Sequence, residues 1–410
     1  MKGRERVGKF FSRNRGTFYL GFLALMISSI GDLFAGATLG FMTDTLELLP
    51  GLMVLIPTAI GMRGNIFGAL GSRLGTSMHV GTFELSLRKG SIIRQNMQAS
   101  LTLTLIMSVL MGVMAKIISE AFGVTSISVW EFIFISVFGG VLAGVLLLAI
   151  TILIARIGFN RGWDIDNVSA PIITAAGDIL TLPMLFVAGL FVLWGNDMSA
   201  VTVEIVAISS VVIGLIIGIM TFRGKAGEGR RIFVHSVPAL IICTLLDIGA
   251  GLTIEQQLTS LVMVPAILVM IPPFLEDANS LGGILTSRLS SMLHMGTLEP
   301  KKLPGAAALE NFAIIYIFAA YVFTLVGVST YVVAQLLDLS SPPLLDLVAL
   351  SLLAGMITVT ILNLISYYVA TVAFRYALDP DDHSIPFTSS SIDFIGAGAL
   401  MVCIVLLGIA

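Results

Sequence analysis

Four aspartates carry the sharpest chemical signal in this sequence. Asp178 and Asp393 sit inside long apolar stretches and recur at a spacing of 215 residues; Asp32 and Asp247 recur at the same spacing. Asp178 and Asp393 are each about ten residues from the end of their stretch, hence roughly 15 Å deep for a helix rising 1.5 Å per residue. An Asp at such a depth costs about 2.5–3.5 kcal/mol to insert into a bilayer. A carboxylate placed there twice is expected to face a shared axis and offer its oxygens to a cation, the alternative being a structural role such as capping a kink or pairing with a Ser or Thr on a neighbouring helix. Asp32 and Asp247 are expected to provide a second ion site, a coupling-ion site, or a hydrogen bond to a neighbouring helix. Asn65 and Asn279 add amide oxygens, which are hard ligands, or serve as helix caps. The whole set consists of carboxylates, amides and hydroxyls. His79 and His294 lack nearby Cys or clustered His, so a zinc or copper site is not expected. Cys243 and Cys403 read as small core residues.

These side chains must be positioned by membrane helices. The chain of 410 residues is 57% hydrophobic and only 11% charged, with a mean hydropathy of +1.01. That charge is about half the share in a soluble protein. The expected fold is all-α and polytopic, with about 11 transmembrane helices, in contact with the lipid bilayer and with no nucleic-acid partner.

The organising stretch is IPTAIGMRGNIFGALGSRLGTSMHVGTFE, Ile56–Glu84, which returns as IPPFLEDANSLGGILTSRLSSMLHMGTLE, Ile271–Glu299, without a gap. Each copy begins apolar, meets Pro and Gly, and resumes polar, which predicts a discontinuous membrane helix broken around Pro57–Gly64. Six spans separate equivalent points, so the two repeats are expected to cross in parallel. The predicted organisation is a basic cytoplasmic N-terminus (1–16), repeat 1 (17–198), a linker helix and connector (199–231), and repeat 2 (232–410). Placing the N-terminus in the cytoplasm puts every Lys and Arg except Lys116 on the cytoplasmic side, Arg63 included as a loop residue. The C-terminus is then external. Arg73 and Arg288 are expected to snorkel to the interface or to pair with Glu84 and Glu299. The loops Asp164–Asn167 and Asp379–His383 are either a cation-attracting mouth or solvated helix starts.

Two motifs resemble a known family. PTAIGMRGN (Pro57–Asn65), followed by SRLGT (Ser72–Thr76), resembles the second-helix signature of the MgtE and solute carrier family 41 magnesium transporters. DPDDHSIPFTSSSIDFIG (Asp379–Gly396) resembles that family's fifth-helix signature. The tandem repeat in one chain is similar to the solute carrier family 41 arrangement, whereas MgtE forms the same five-helix unit as a homodimer. The resemblance implies two parallel five-helix repeats with magnesium on the axis between them, bound by Asp178 and Asp393 with Asn65 nearby. It departs from the family at Ser280, where the matching residue of repeat 1 is Asn65, and at Ile165, where the family has Pro. The expected function is transport of magnesium or another divalent cation across the plasma membrane, by a channel or a sodium-coupled exchanger. Mg2+ is the transported ion and Na+ a candidate coupling ion. The chain is expected to act as a monomer with an internal pseudo-dimer or as a homodimer, and not as an enzyme. The rival expectations are a proton-coupled carrier of an organic solute and a metal-dependent intramembrane enzyme.

Overall fold

The computed structural model describes residues 15–88, 90–161, 165–194, 197–224, 227–376 and 384–409. Asp164, Asp379, Asp381, His383, Lys89, Lys225 and the basic residues before Arg15 lie outside the described residues, as do the side chains of Asp166, Asn167 and His79. Thirteen helices and no strand occur among the described residues. In chain order they are α1 (Arg15–Phe41), α2 (Thr43–Leu48), α3 (Leu52–His79), α4 (Ile92–Ala121), α5 (Val129–Arg161), α6 (Ile165–Leu193), α7 (Asp197–Arg223), α8 (Glu228–Glu255), α9 (Leu258–Val262), α10 (Pro265–His294), α11 (Ala306–Leu336), α12 (Leu344–Tyr376) and α13 (Ile385–Leu407). Ten of them are long and apolar enough to cross a bilayer. The remaining long helix, α10, has 30 residues but carries Glu276 and Asp277 in its middle. Its repeat mate α3 is among the ten. The chain is a multi-pass all-α membrane protein.

The structure corrects one expectation about α3 and α10. Neither helix is broken: α3 runs through Pro57, and α10 through Pro272 and Pro273. Pro57 lies in the second turn of α3 and frees only the carbonyl of Met53, four residues back. The backbone of Gly251 on α8 closes over that point. A Cβ built at Gly251 would lie 2.6 Å from the Val54 oxygen and 2.8 Å from the Met53 oxygen. Repeat 2 uses the same device. Pro273 frees the Val269 carbonyl, and Gly36 of α1 packs directly against that oxygen. In both repeats a glycine backbone thus packs directly over the carbonyl that the proline frees.

These contacts also fix the architecture. The first helix of each repeat packs along the proline-containing helix of the other: α1 lies on α10, and α8 lies on α3. Within its own repeat, α1 packs on α6 and α8 on α13. Phe22 of α1 stacks edge-on against Phe318 and Tyr321 of α11 in the opposite repeat, at centroid distances of 5.2 and 4.7 Å. Glu255, at the end of α8, accepts the backbone N–H of Gly51 at 2.8 Å and of Met53 at 3.2 Å, capping α3 across the repeat boundary. The two repeats are therefore interlocked.

Several duplicated residues have local structural roles. Gly81 and Gly296 end α3 and α10 with φ of 76° and 71°. Each is followed by a Thr whose N–H reaches back to the helix, Thr82 to Ser77 and Thr297 to Met292, both at 2.9 Å. This is the glycine-terminated C-cap that left-handed backbone allows. Ser136 donates to the Ser108 carbonyl at 2.7 Å, and Ser351 to the Phe323 carbonyl at 2.8 Å, tying α5 to α4 and α12 to α11. The linker helix α7 sits outside repeat 1 against α4 and α5. Only 17% of its most apolar window is buried, against 72% for α3, so α7 faces lipid and α3 faces protein.

Candidate functional site

The site forms where the interlocked helices cross. α3 and α10 supply one wall each, α1 and α8 bring Asp32 and Asp247, and α6 and α13 bring Asp178 and Asp393. All four aspartates are buried, with at most 2% of their surface exposed. The carboxyl of Asp32 touches that of Asp178, and the Ser28 hydroxyl donates to Asp32 Oδ2 at 3.4 Å. Asp247 and Asp393 are electrostatic neighbours in the equivalent place. Both face the bare backbone of Gly61 on α3, where a Cβ would lie 3.0 Å from Asp247 Oδ2 and 3.7 Å from Asp393 Oδ2.

Asp178 and Asp393 are within electrostatic reach of one another, but each has a nearer acid from its own repeat. Asn279 Nδ2 donates to Asp393 Oδ1 at 2.9 Å, which leaves its own oxygen without a partner. Asn65 lies on α3 one turn beyond Gly61, half-buried, with an unpartnered Nδ2. The two asparagines are not repeat mates: Asn65 aligns with Ser280, and Asn279 with Gly64.

Two further acids belong to this region. Glu276 and Asp277 on α10 are 9% and 0% exposed. Glu276 interacts with Asp32, Asp178, Asp247, Asp277 and Asp393. It is the hub of the acids although its repeat mate is Gly61. Comparing the repeats for identical residues passes over it for that reason. Its helical register with Asn279, three residues on, was the available signal.

One expectation about the basic residues is corrected. Arg63 is no loop residue. It is fully buried on α3 and donates to Ser108 Oγ at 3.2 Å. Lying two residues from Gly61, it points to the opposite side of α3 from the acids, into the slot beside Gly140 of α5. Its loop assignment followed from the expected break, and the continuous helix carries it inside. Arg73 and Arg288 make duplicated hydrogen bonds to Asn96 Oδ1 at 2.9 Å and Asn311 Oδ1 at 2.8 Å, and so pin α3 to α4 and α10 to α11. Glu299 pairs with Lys301 at 2.7 Å instead.

Buried carboxylates without cationic partners are costly unless something neutralises them. Asp32 Oδ1 and both oxygens of Asp247 and Asp277 have no hydrogen-bond donor. Among the described residues, no group of three or more His, Cys, Asp or Glu side chains is arranged to hold a metal ion. A cavity of about 620 Å³ lies elsewhere, an apolar groove between α4 and α7 on the lipid side that includes Ile106, Leu215 and Phe222.

The chain is similar to known proteins over most of its length. The family described as MgtE: Divalent cation transporter matches residues 56–188 and again 271–403. Solute carrier family 41 member 3 of Rattus norvegicus is 24% identical over 94% of this chain and 86% of its own length. Solute carrier family 41 member 2 of Xenopus laevis is 23% identical over 92% of this chain and 69% of its own length. No solved structure matches. With both family segments falling on the two halves that bury the paired aspartates, the chain belongs to the MgtE family of divalent cation transporters, a family of transporters and not of enzymes.

Proposed function

We propose that this protein carries magnesium across the plasma membrane along a path between repeat 1 (17–198) and repeat 2 (232–410), with the N-terminus cytoplasmic and the C-terminus external. The observation that carries this reading is the duplicated burial of Asp32, Asp178, Asp247 and Asp393 where the interlocked helices cross, with oxygens of Asp32 and Asp247 left unpartnered. A carboxylate that no side chain neutralises is matched to a passing cation. Asp178 and Asp393 hold the partly hydrated ion. Asn279 orients Asp393, Asn65 presents its amide one turn beyond Gly61, and Asp32 and Asp247 add charge behind them. Relative movement of the interlocked repeats opens access from one side and then the other.

The test is magnesium flux into proteoliposomes, with and without a sodium gradient. Asp178→Asn combined with Asp393→Asn is expected to reduce flux at least about 100-fold, because a hard divalent ion loses both charged ligands. Undiminished flux in the folded double variant refutes the role of these carboxylates. The sodium arm separates the two mechanisms: flux that follows voltage alone marks a channel, and flux that requires an opposing sodium gradient marks an exchanger.

A further inference from the structure

The linker helix α7 lies between the two segments that match the family, 56–188 and 271–403, and so belongs to neither. The apolar groove of about 620 Å³ runs along its contact with α4. A Cβ built at Gly214 would lie 4.0 Å from both the Ile106 and the Val109 side chains, so this glycine forms the floor where the two helices approach. Leu215 forms part of the outer bank and is 61% exposed. From Val211 to Arg223 the lining runs roughly 18 Å at 1.5 Å per residue. That is a little more than half of a hydrocarbon core about 30 Å thick, the depth of one leaflet. Spread over that length, 620 Å³ leaves a cross-section of roughly 35 Å². A helix about 10–12 Å across needs more than twice that area, whereas extended acyl chains do not.

The groove is basic at one end. Arg223, the last residue of α7, is itself part of the lining. It is exposed and makes no ion pair among the described residues. Arg230, near the start of α8, is held at the same end. Its Nε donates to the Phe222 carbonyl at 2.9 Å, and its guanidinium carbon lies 5.8 Å from the centre of the Phe222 ring. Phe222 also lines the groove, so the ring stands between the apolar channel and the charge. In sequence, the segment 223–231 carries four basic residues, Arg223, Lys225, Arg230 and Arg231, against one acid, Glu228. An apolar slot one leaflet deep, ending in fixed positive charge, matches a molecule with acyl chains and an anionic head.

We propose that this groove holds one anionic phospholipid, with its acyl chains between α4 and α7 and its phosphate at Arg223 and Arg230. A zwitterionic head would bring its own cation to the same two arginines, and a net anionic head does not. The lipid ties the end of α7 to the start of α8 and so fixes the linker against repeat 1. It supplies contact to a helix that has only 17% of its most apolar window buried by protein. On the orientation proposed above, the basic end is cytoplasmic, the side on which anionic lipids concentrate. The choice of leaflet rests on that orientation, and the binding itself does not.

The experiment titrates the full-length protein in detergent, separately with phosphatidylserine and with phosphatidylcholine of the same acyl chains, and counts bound lipid by native mass spectrometry. Wild type is expected to retain one phosphatidylserine at least about tenfold more tightly than phosphatidylcholine. Arg223→Gln with Arg230→Gln should weaken phosphatidylserine binding at least about tenfold and leave phosphatidylcholine unchanged. Gly214→Phe, which fills the groove, should weaken both lipids. If that variant fails to fold, Leu215→Trp on the exposed bank is read in the same way. Arg375→Gln, an exposed basic residue at the end of α12 in the other repeat, should change neither. Equal affinity for the two lipids in wild type overturns the proposal, as does unchanged phosphatidylserine binding in either folded groove variant. An equal loss from Arg375→Gln also overturns it, because the attraction would then be diffuse. So does a dimer that Gly214→Phe dissolves, which would make the groove a contact between copies. Magnesium flux, measured in parallel, tests transport separately: bound phosphatidylserine without flux refutes transport alone, and flux without it refutes only the lipid site.

Discussion

Gly140 and Gly355 are repeat mates that face different fillings. A Cβ at Gly140 would lie 2.6 Å from Ser108 Oγ and would collide with the Arg63 guanidinium; a Cβ at Gly355 would collide with the Phe323 ring. Phe323 aligns with Ser108, and Ala278 with Arg63. Each repeat therefore fills the same slot once, by a guanidinium and a hydroxyl in one and by a phenyl ring in the other. Gly140→Ala is expected to destabilise the protein by about 1–3 kcal/mol through overpacking. Adding Arg63→Ala should recover at least about 1 kcal/mol of that, since the two residues share the slot. Thermal unfolding of the single and double variants in detergent checks both numbers. Additive effects would mean that the guanidinium does not occupy the slot in solution.

At the scale of the helix, the proline-containing elements are held whole by their neighbours. Gly251→Val would drive a branched side chain into the Val54 and Met53 carbonyls. It should lower both thermal stability and magnesium flux, whereas the same change at Gly398, which has open space around it, should leave both near wild type. Glu255→Gln removes a charged acceptor from the start of α3 and should cost about 1–3 kcal/mol. Faster hydrogen exchange confined to the first turn of α3 would mark the loss. The sequence carries the helices themselves plainly, because twenty or more apolar residues leave few alternatives in a bilayer. It also carries the aspartate pairs, because identity recurs at one spacing. It does not carry the continuity of α3, because Pro and Gly have the same spelling whether a helix breaks or a neighbour seals it. Glu276 was hidden by its mismatch with Gly61, and Arg63 by the break assigned to its surroundings. The interlock of α1 with α10 leaves no trace in a single sequence, since two repeats packed side by side would share the same periodicity.

At the scale of the whole molecule, neither half holds a complete group of acids: Asp32 and Asp178 meet Glu276 only through the crossing of α1 and α10. A chain ending at 224 and a chain starting at 227 should each be inactive alone and should restore magnesium flux when coexpressed. They should also copurify through the α1–α10 and α8–α3 contacts. Activity from either half by itself would contradict the interlock. The crossing also sets a schedule for synthesis. α1 leaves the ribosome first, whereas its lasting neighbour α10 ends at His294. At about 5–20 residues per second, α1 waits on the order of ten to fifty seconds with Asp32 facing lipid or a temporary companion. The nascent protein is most exposed to membrane quality control during that interval. A substitution in α10 that only delays docking should therefore deplete the protein at the point of biogenesis, even where the assembled transporter would tolerate it.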